Sequence, residues 1–339
     1  MENQSAHDVA LKNGQKFHYY EGGSKTGVPL VFLHGWPGIA ETWKHQSSYF
    51  CAQSKYRVIT PDMRGYGESS APKSKESYAL QVLVPELVEF AEKLGITKAI
   101  WIAHDWGCGV ANALAAHHPE LFIGLVLISV PYRSAELGFE NLVSLVNRDL
   151  YPEDEYEWGQ WEYMKYHERH PEETAKVFDE NYPIILKHMY SKADPSTFGK
   201  PSVTSDTFRV GGWFGGHPEK VPDIPLEGTL LDESLYNNLL GHSKKNGFAP
   251  ANAYYLNHAA NAEYAKSEKN NGVLEFPVLF IDSTYDATCS PSTSPKLGEN
   301  QKKFVKNLTF KTIDAGHWVQ LEKPTETNKV IDDWLKSTF

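Results

Sequence analysis

Short apolar runs alternate with stretches of helical spacing over the first 130 residues. The apolar runs predict strands, and the helical spacing predicts helices at 80–94 and 110–117; the predicted strands are 17–20, 29–34, 57–60, 100–103 and 121–130. Strands that alternate with helices favour an α/β protein whose central sheet is mainly parallel.

After residue 131 the pattern changes. The stretch 132–271 is rich in Trp, Tyr, His and Glu and poor in strand-like runs; its predicted helices are 137–145, 156–170, 171–189 and 231–240. The α/β pattern then resumes, with strands at 278–281 and 308–313 and helices at 295–305 and 324–335. We therefore predict a core built from 1–131 and 272–339, an inserted helical cap at 132–271, and a mobile glycine-rich loop at 211–216.

Composition narrows the possible partners. The net charge is −10 and no basic run is present, which argues against nucleic acid and anionic membranes as partners. The three cysteines have no metal-binding spacing, and the longest apolar run is too short to span a bilayer. The N-terminus lacks the pattern of a signal peptide. We expect a cytoplasmic protein without membrane insertion, metal or cofactor.

Asp105 lies between the predicted strand 100–103 and the helix that follows it, with small residues two positions away on each side, Ala103 and Gly107. A strand, a tight turn and a helix with small flanking residues are typical of a nucleophile elbow, which usually carries Ser. We expect Asp105 to be exposed at the strand end, ionised beside a helix N-terminus, and able to attack carbon to form an ester. The alternative is a helix N-cap and nothing more.

Asp286 and His317 complete a set in the order nucleophile, acid, histidine, which is the order of α/β-hydrolases. Each follows a predicted strand, where parallel sheets collect functional residues. His317 is the expected general base, and Asp286 is expected to orient its imidazole. Asp282 is the second choice for the acid.

The segment 34–37, His-Gly-Trp-Pro, is the predicted oxyanion and substrate-binding loop, and it includes His34 and Pro37. The backbone amides of Trp36 and Trp106 are the candidate oxyanion donors. A cis bond before Pro37 would suit a tight turn here. The alternative is an ordinary turn that ends a strand.

Four motifs carry a resemblance to a known family: His-Gly-Trp-Pro at 34–37, Asp-Met-Arg-Gly-Tyr-Gly-Glu-Ser at 62–69, His-Asp-Trp-Gly at 104–107 and Ala-Gly-His-Trp-Val-Gln at 315–320. Together they resemble the soluble epoxide hydrolases of the α/β-hydrolase superfamily, in particular the plant and fungal type. The resemblance implies hydrolysis of an apolar or aromatic epoxide, with water as co-substrate, to a vicinal diol.

The resemblance also implies two cap tyrosines that hold and protonate the epoxide oxygen. Tyr163 takes the first place, although Met164 follows it where the family often has Gln. Tyr255 takes the second, with Tyr254 as the alternative. The His-Glu-Arg-His segment at 167–170 is interpreted as a solvated helix face rather than a metal site.

Two other functions stay open. A haloalkane dehalogenase has the same Asp nucleophile, and it would hold the halide with Trp106 and a second N–H donor, either Trp36 or a cap tryptophan. A non-catalytic ligand-binding protein on this fold would need no water-activating histidine.

Overall fold

A computed structural model describes all residues, 1–339. Its sheet has eight strands in the order β1-β2-β4-β3-β5-β6-β7-β8. The strands are β1 (Gln4–Ala10), β2 (Lys16–Gly23), β3 (Val28–Leu33), β4 (Tyr56–Pro61), β5 (Ala99–His104), β6 (Phe122–Ile128), β7 (Leu274–Ser283) and β8 (Val305–Ile313). β1 pairs with β2 and β2 with β4 in antiparallel fashion, and all other pairs are parallel. The predicted α/β-hydrolase architecture, with helices around a mostly parallel sheet, is confirmed.

Twelve α-helices accompany the sheet. They are α1 (Lys44–Cys51), α2 (Leu80–Lys93), α3 (Trp106–His117), α4 (Phe139–Ser144), α5 (Glu162–Arg169), α6 (Pro171–Met189), α7 (Glu233–Asn246), α8 (Ala249–Asn252), α9 (His258–Ala265), α10 (Glu299–Phe304), α11 (Val319–Glu322) and α12 (Pro324–Thr338). None of them combines the length and the apolar character needed to cross a membrane.

The central strands are buried on both faces, which explains their continuous apolar runs. Every residue of β5 is buried, and its alternate side chains enter two separate apolar clusters. Ile100 and Ile102 pack in the cluster that contains Trp334 of α12, whereas Trp101 and Ala103 pack in the cluster that contains Leu114 of α3. Helices on both faces therefore fix the end of β5, where Asp105 begins the next turn.

Six helices, α4–α9, lie between β6 and β7, and no strand of the sheet interrupts them. Their apolar side chains, such as Phe178 and Leu239, belong to the same cluster as α3 and one face of the sheet. The helical segment is thus packed over the core through a shared apolar interior, and a cavity of about 610 Å³ lies where the two meet.

Three of the differences between the predicted and the observed elements have a clear local reason. β1 was not predicted, because it is an edge strand whose residues are mostly exposed and polar. The predicted helix 156–170 begins only at Glu162, since a left-handed Gly159 (φ 56°) and a short 3-10 turn precede it. The predicted helix 295–305 is a 3-10 turn followed by the short α10.

Candidate active site

Asp105 occupies the turn between β5 and α3 in a strained conformation, with φ 53° and ψ −126°. Such a backbone is uncommon for a residue other than glycine and is held by its surroundings. Gly107 is required nearby, because a Cβ on it would lie 2.3 Å from the carbonyl oxygen of Leu33 in β3. The expected exposure of Asp105 is wrong, since the residue is only 8% exposed beneath the helical segment. Its carboxylate makes no capping hydrogen bond to α3.

The two oxygens of the Asp105 carboxylate have different neighbours. Oδ1 accepts a hydrogen bond from the backbone N–H of Trp36 at 2.6 Å, and Oδ2 lies 3.5 Å from Nε2 of His317. Burial by itself raises the pKa of Asp105, but the interactions with His317 and the backbone N–H of Trp106 outweigh it, so the pKa lies below its usual value. The carboxylate is therefore ionised at neutral pH.

His317 is bound on its other nitrogen by Asp286. Nδ1–H donates to Oδ2 of Asp286 at 2.7 Å, and Oδ1 of the same carboxylate accepts the backbone N–H groups of Thr288 and Cys289, each at 3.0 Å. Burial raises the pKa of Asp286, but its interactions with His317 and these amides lower it overall. Burial also lowers the pKa of His317, yet Asp286 and Asp105 raise it well above its usual value.

Asp282, the second choice for the acid, faces other groups. Its carboxylate accepts hydrogen bonds from the hydroxyls of Ser290 at 2.7 Å and Ser292 at 2.6 Å. The structure thus brings Asp286, and not Asp282, against the imidazole of His317.

The segment 34–37 lies over Asp105, and its Trp36–Pro37 peptide bond is cis. Gly35 permits the close approach, because a Cβ there would lie 2.2 Å from Oδ1 of Asp105. Trp36 and Pro37 line the cavity, and the indole N–H of Trp36 donates to Asn252 at 3.0 Å.

The expected place of His34 among the oxyanion and substrate-binding residues needs correction. His34 is buried and does not reach the cavity. Its Nε2 accepts the backbone N–H of Met63 at 2.9 Å, and its Nδ1 lies 3.0 Å from the carbonyl oxygen of Gly35, to which it donates as Nδ1–H. Burial lowers the pKa of His34, consistent with this neutral tautomer. The imidazole therefore holds the loop in place and does not contact substrate.

Tyr163 of α5 and Tyr255, in the turn before α9, both line the cavity that contains Asp105. Their ring centroids are 5.5 Å apart, and burial raises the pKa of each phenol well above its usual value. Tyr254 does not reach the cavity, because its hydroxyl donates to the carbonyl oxygen of Arg64 at 2.9 Å. Two neutral phenols thus share one cavity with an ionised carboxylate.

The cavity has a volume of about 610 Å³, within the range of small-molecule sites, and its wall is mainly apolar and aromatic. Trp213 and Phe214 of the glycine-rich stretch form part of this wall, together with Trp318 and Met189. The polar groups on the wall include Asp105, His317 and the two phenols.

The prediction that His167 lies on a solvated helix face is wrong. His167 is completely buried rather than solvated; its ring stacks on Tyr255 with centroids 4.7 Å apart, and its Nε2 accepts the indole N–H of Trp213 at 3.2 Å. The available signal was its spacing, since position i+4 from Tyr163 lies on the same helix face. Burial lowers the pKa of His167 to about 3, so it is neutral.

Known proteins are similar to this chain in sequence and in structure. Residues 28–165 match a family model described as alpha/beta hydrolase fold. Epoxide hydrolase 4 of Mus musculus is 38% identical over 337 residues, which cover 97% of this chain and 79% of that protein. This chain belongs to the epoxide hydrolase family.

Other epoxide hydrolases are similar over nearly the whole chain. The crystal structure of epoxide hydrolase A from Mycobacterium thermoresistibile has 25% identity and a TM-score of 0.77, and the match covers 98% of both chains. Bifunctional epoxide hydrolase 2 of Sus scrofa is 28% identical over 330 residues, and the chain spans about half (55%) of that relative's length.

Proposed function

We propose that this protein hydrolyses epoxides to vicinal diols through a covalent ester on Asp105. One observation carries the proposal. Oδ1 of Asp105 accepts a hydrogen bond from the backbone N–H of Trp36, whereas Oδ2 lies on the cavity side, 3.5 Å from Nε2 of His317. Tyr163 and Tyr255 line the same cavity. Such a site contains a nucleophile, a base, oxyanion donors and acids for a leaving oxygen.

In the first step, Oδ2 of Asp105 attacks an epoxide carbon and the carbon–oxygen bond of the ring breaks. The released oxygen accepts hydrogen bonds from Tyr163 and Tyr255, and one phenol transfers its proton to it. Phenols suit this task because burial raises their pKa, so both are protonated beside the ionised Asp105. The product is an alkyl ester on Oδ2.

In the second step, Nε2 of His317 takes a proton from water, and the resulting hydroxide attacks Cγ of Asp105. The oxyanion forms on Oδ1, which accepts the backbone N–H of Trp36, and the backbone N–H of Trp106, which also interacts with this carboxyl group, is the second candidate donor. Asp286 stabilises the imidazolium through Nδ1–H. The imidazolium returns its proton to the ester oxygen, which leaves with the diol. The oxygen from water stays in the carboxyl group of Asp105, whose proton restores the phenol that was deprotonated in the first step.

The helical segment 132–271 acts as a cap in this proposal. It supplies both phenols, and it excludes bulk water from the cavity, which strengthens electrostatic interactions inside. The apolar and aromatic wall favours an apolar or aromatic epoxide as substrate.

Two of the tryptophans that a haloalkane dehalogenase could use to hold a halide already donate their indole N–H groups. The indole N–H of Trp36 is already donated to Asn252, and that of Trp213 to His167. Neither of these two is free to join Trp106 in holding a halide, whereas the indole N–H of Trp161 has no hydrogen-bond partner, so the assay below must separate the two activities.

The test is product formation from matched substrates. Purified protein is incubated with an aryl epoxide and with the corresponding alkyl halide, and diol and halide are quantified, with Asp105→Asn as the control. We expect diol from the epoxide, loss of that activity in the control, and little halide. Halide release faster than diol formation would overturn the proposal.

A further inference from the structure

Cys289 has no part in the proposed reaction, yet its thiol lies beside the two residues that activate water, His317 and Asp286. The sulfur of Cys289, one nitrogen of His317 and one carboxylate oxygen of Asp286 lie within 4.8 Å of one another. We infer that these three residues bind a thiophilic divalent cation, Zn²⁺ foremost, at the floor of the cavity.

The donor set suits this cation. Thiolate, imidazole and carboxylate are the side-chain ligands that Zn²⁺ takes in proteins, and three of them leave a fourth position for water. Mg²⁺ and Ca²⁺ prefer sites made only of oxygen ligands, so the thiol selects against them.

The ligands need only a small adjustment. In a tetrahedral zinc site, donor atoms are separated by roughly 3.3–3.7 Å, as the usual bond lengths require. The longest separation here, up to 4.8 Å, must shorten by about 1 Å. The 2.7 Å contact between Asp286 and His317 must widen by about half an ångström.

Metal binding here requires loss of the thiol proton. Burial raises the pKa of Cys289 to about 12, so the residue is a thiol at neutral pH. A coordinating cation displaces the proton to solvent and binds the thiolate. All three ligands line the cavity, so a cation that enters it meets each of them.

Binding has a consequence that rests on the proposed function. If the metal binds Nδ1 of His317, the hydrogen bond from this nitrogen to Asp286 is lost. If the metal binds Nε2, the lone pair that accepts the proton of water is lost. In both cases ester hydrolysis stops, so Zn²⁺ is expected to inhibit reversibly. The binding itself does not depend on the reaction.

The experiment measures binding first. The full chain is titrated with Zn²⁺ alone by calorimetry, and with Cd²⁺ alone while the ultraviolet absorbance of the cadmium–thiolate bond is recorded. Cys289→Ala and Cys289→Ser remove the sulfur, and Cys51→Ser is the matched control, since Cys51 lies outside the cavity. Thermal melts establish that each variant is folded.

For the unchanged protein we expect one tight site and a cadmium–thiolate absorbance band. Both Cys289 variants should lose more than about 100-fold in affinity, because a direct ligand is removed, whereas Cys51→Ser should bind as the unchanged protein does. Binding unchanged in Cys289→Ala, or no band with Cd²⁺, would overturn the inference. In a second arm, a chelator is expected to restore diol formation. A chain without hydrolase activity would refute the proposed function and leave the binding result intact.

Discussion

The pH dependence of the two chemical steps follows from the position of His317 between two carboxylates. In the free protein, Asp286 and Asp105 both raise the pKa of His317. When Asp105 becomes an ester, its negative charge disappears, and of these two carboxylates only Asp286 is left to raise the pKa of His317. The pKa of His317 must therefore fall in the ester intermediate, where the neutral imidazole is needed as a base.

The size of the fall follows from the geometry. A unit charge 3.5 Å from the imidazole contributes about 4.7 kcal/mol at an effective dielectric constant of ~20 and about 1.2 kcal/mol at ~80. The side chain of His317 is 27% exposed, so the true value lies between these limits. Since one pKa unit equals about 1.36 kcal/mol, we expect a decrease of about one to three units.

The sign of the pH effect differs between the steps. Ester formation needs an ionised Asp105 and neutral phenols. The pKa of Asp105 is lowered and the pKa values of Tyr163 and Tyr255 are raised, so none of these groups changes its charge near neutral pH. The rate of ester formation therefore stays flat in this range. Ester hydrolysis needs neutral His317, whose fraction grows with pH. The rate of this step therefore rises with pH to a plateau.

Stopped-flow fluorescence separates the two steps, because Trp36 and Trp106 flank the residue that is alkylated. Asp105→Asn serves as a neutral mimic of the ester, and the pKa of His317 is measured by NMR in both forms. An unchanged His317 pKa in Asp105→Asn, or the same pH profile for both steps, would refute the reasoning.

Three further predictions concern single side chains. His317→Gln should slow ester hydrolysis by about 10²–10⁴-fold, so that mass spectrometry of the intact protein shows the alkyl adduct; a rapidly cleared adduct would contradict this. Tyr255→Phe should slow ester formation by about 10²–10³-fold in single-turnover assays, whereas the control Tyr254→Phe should stay within a few-fold of the unchanged protein; equal losses would argue against a role for Tyr255. Tyr190→Phe removes the hydrogen bond from the Tyr190 hydroxyl to the carbonyl oxygen of Pro37 (3.0 Å) and should slow hydrolysis by roughly 2–10-fold without affecting ester formation. The opposite split between the steps would contradict that role.

The core of the site was predictable from the sequence because its signals are local. Asp105 lies in a strand–turn–helix pattern with small residues on each side, and Asp286 and His317 each follow a strand that the sequence predicts. Their meeting at one sheet edge is a consequence of parallel strand order. The burial of Asp105 was not predictable in this way, because the residues that cover it belong to a distant part of the chain.

The helical segment was harder to predict for the same reason. His167 carries a polar side chain in a charged helix, and its burial depends on Tyr255 and Trp213, which come some 50 to 90 positions later in the chain. Tyr163 and Tyr255 were assigned by resemblance, since nothing local distinguishes them from the other tyrosines. β1 escaped detection because an exposed edge strand has no apolar face of its own.

A single turnover in ¹⁸O-labelled water tests the central claim most directly. Protein in excess over an aryl epoxide is allowed one reaction, and the diol and the peptide containing Asp105 are analysed by mass spectrometry. The ester route predicts unlabelled diol from the first turnover and label in the carboxylate of Asp105. Labelled diol with unlabelled Asp105 would mean that water attacks the epoxide directly, and the proposed nucleophile would be wrong.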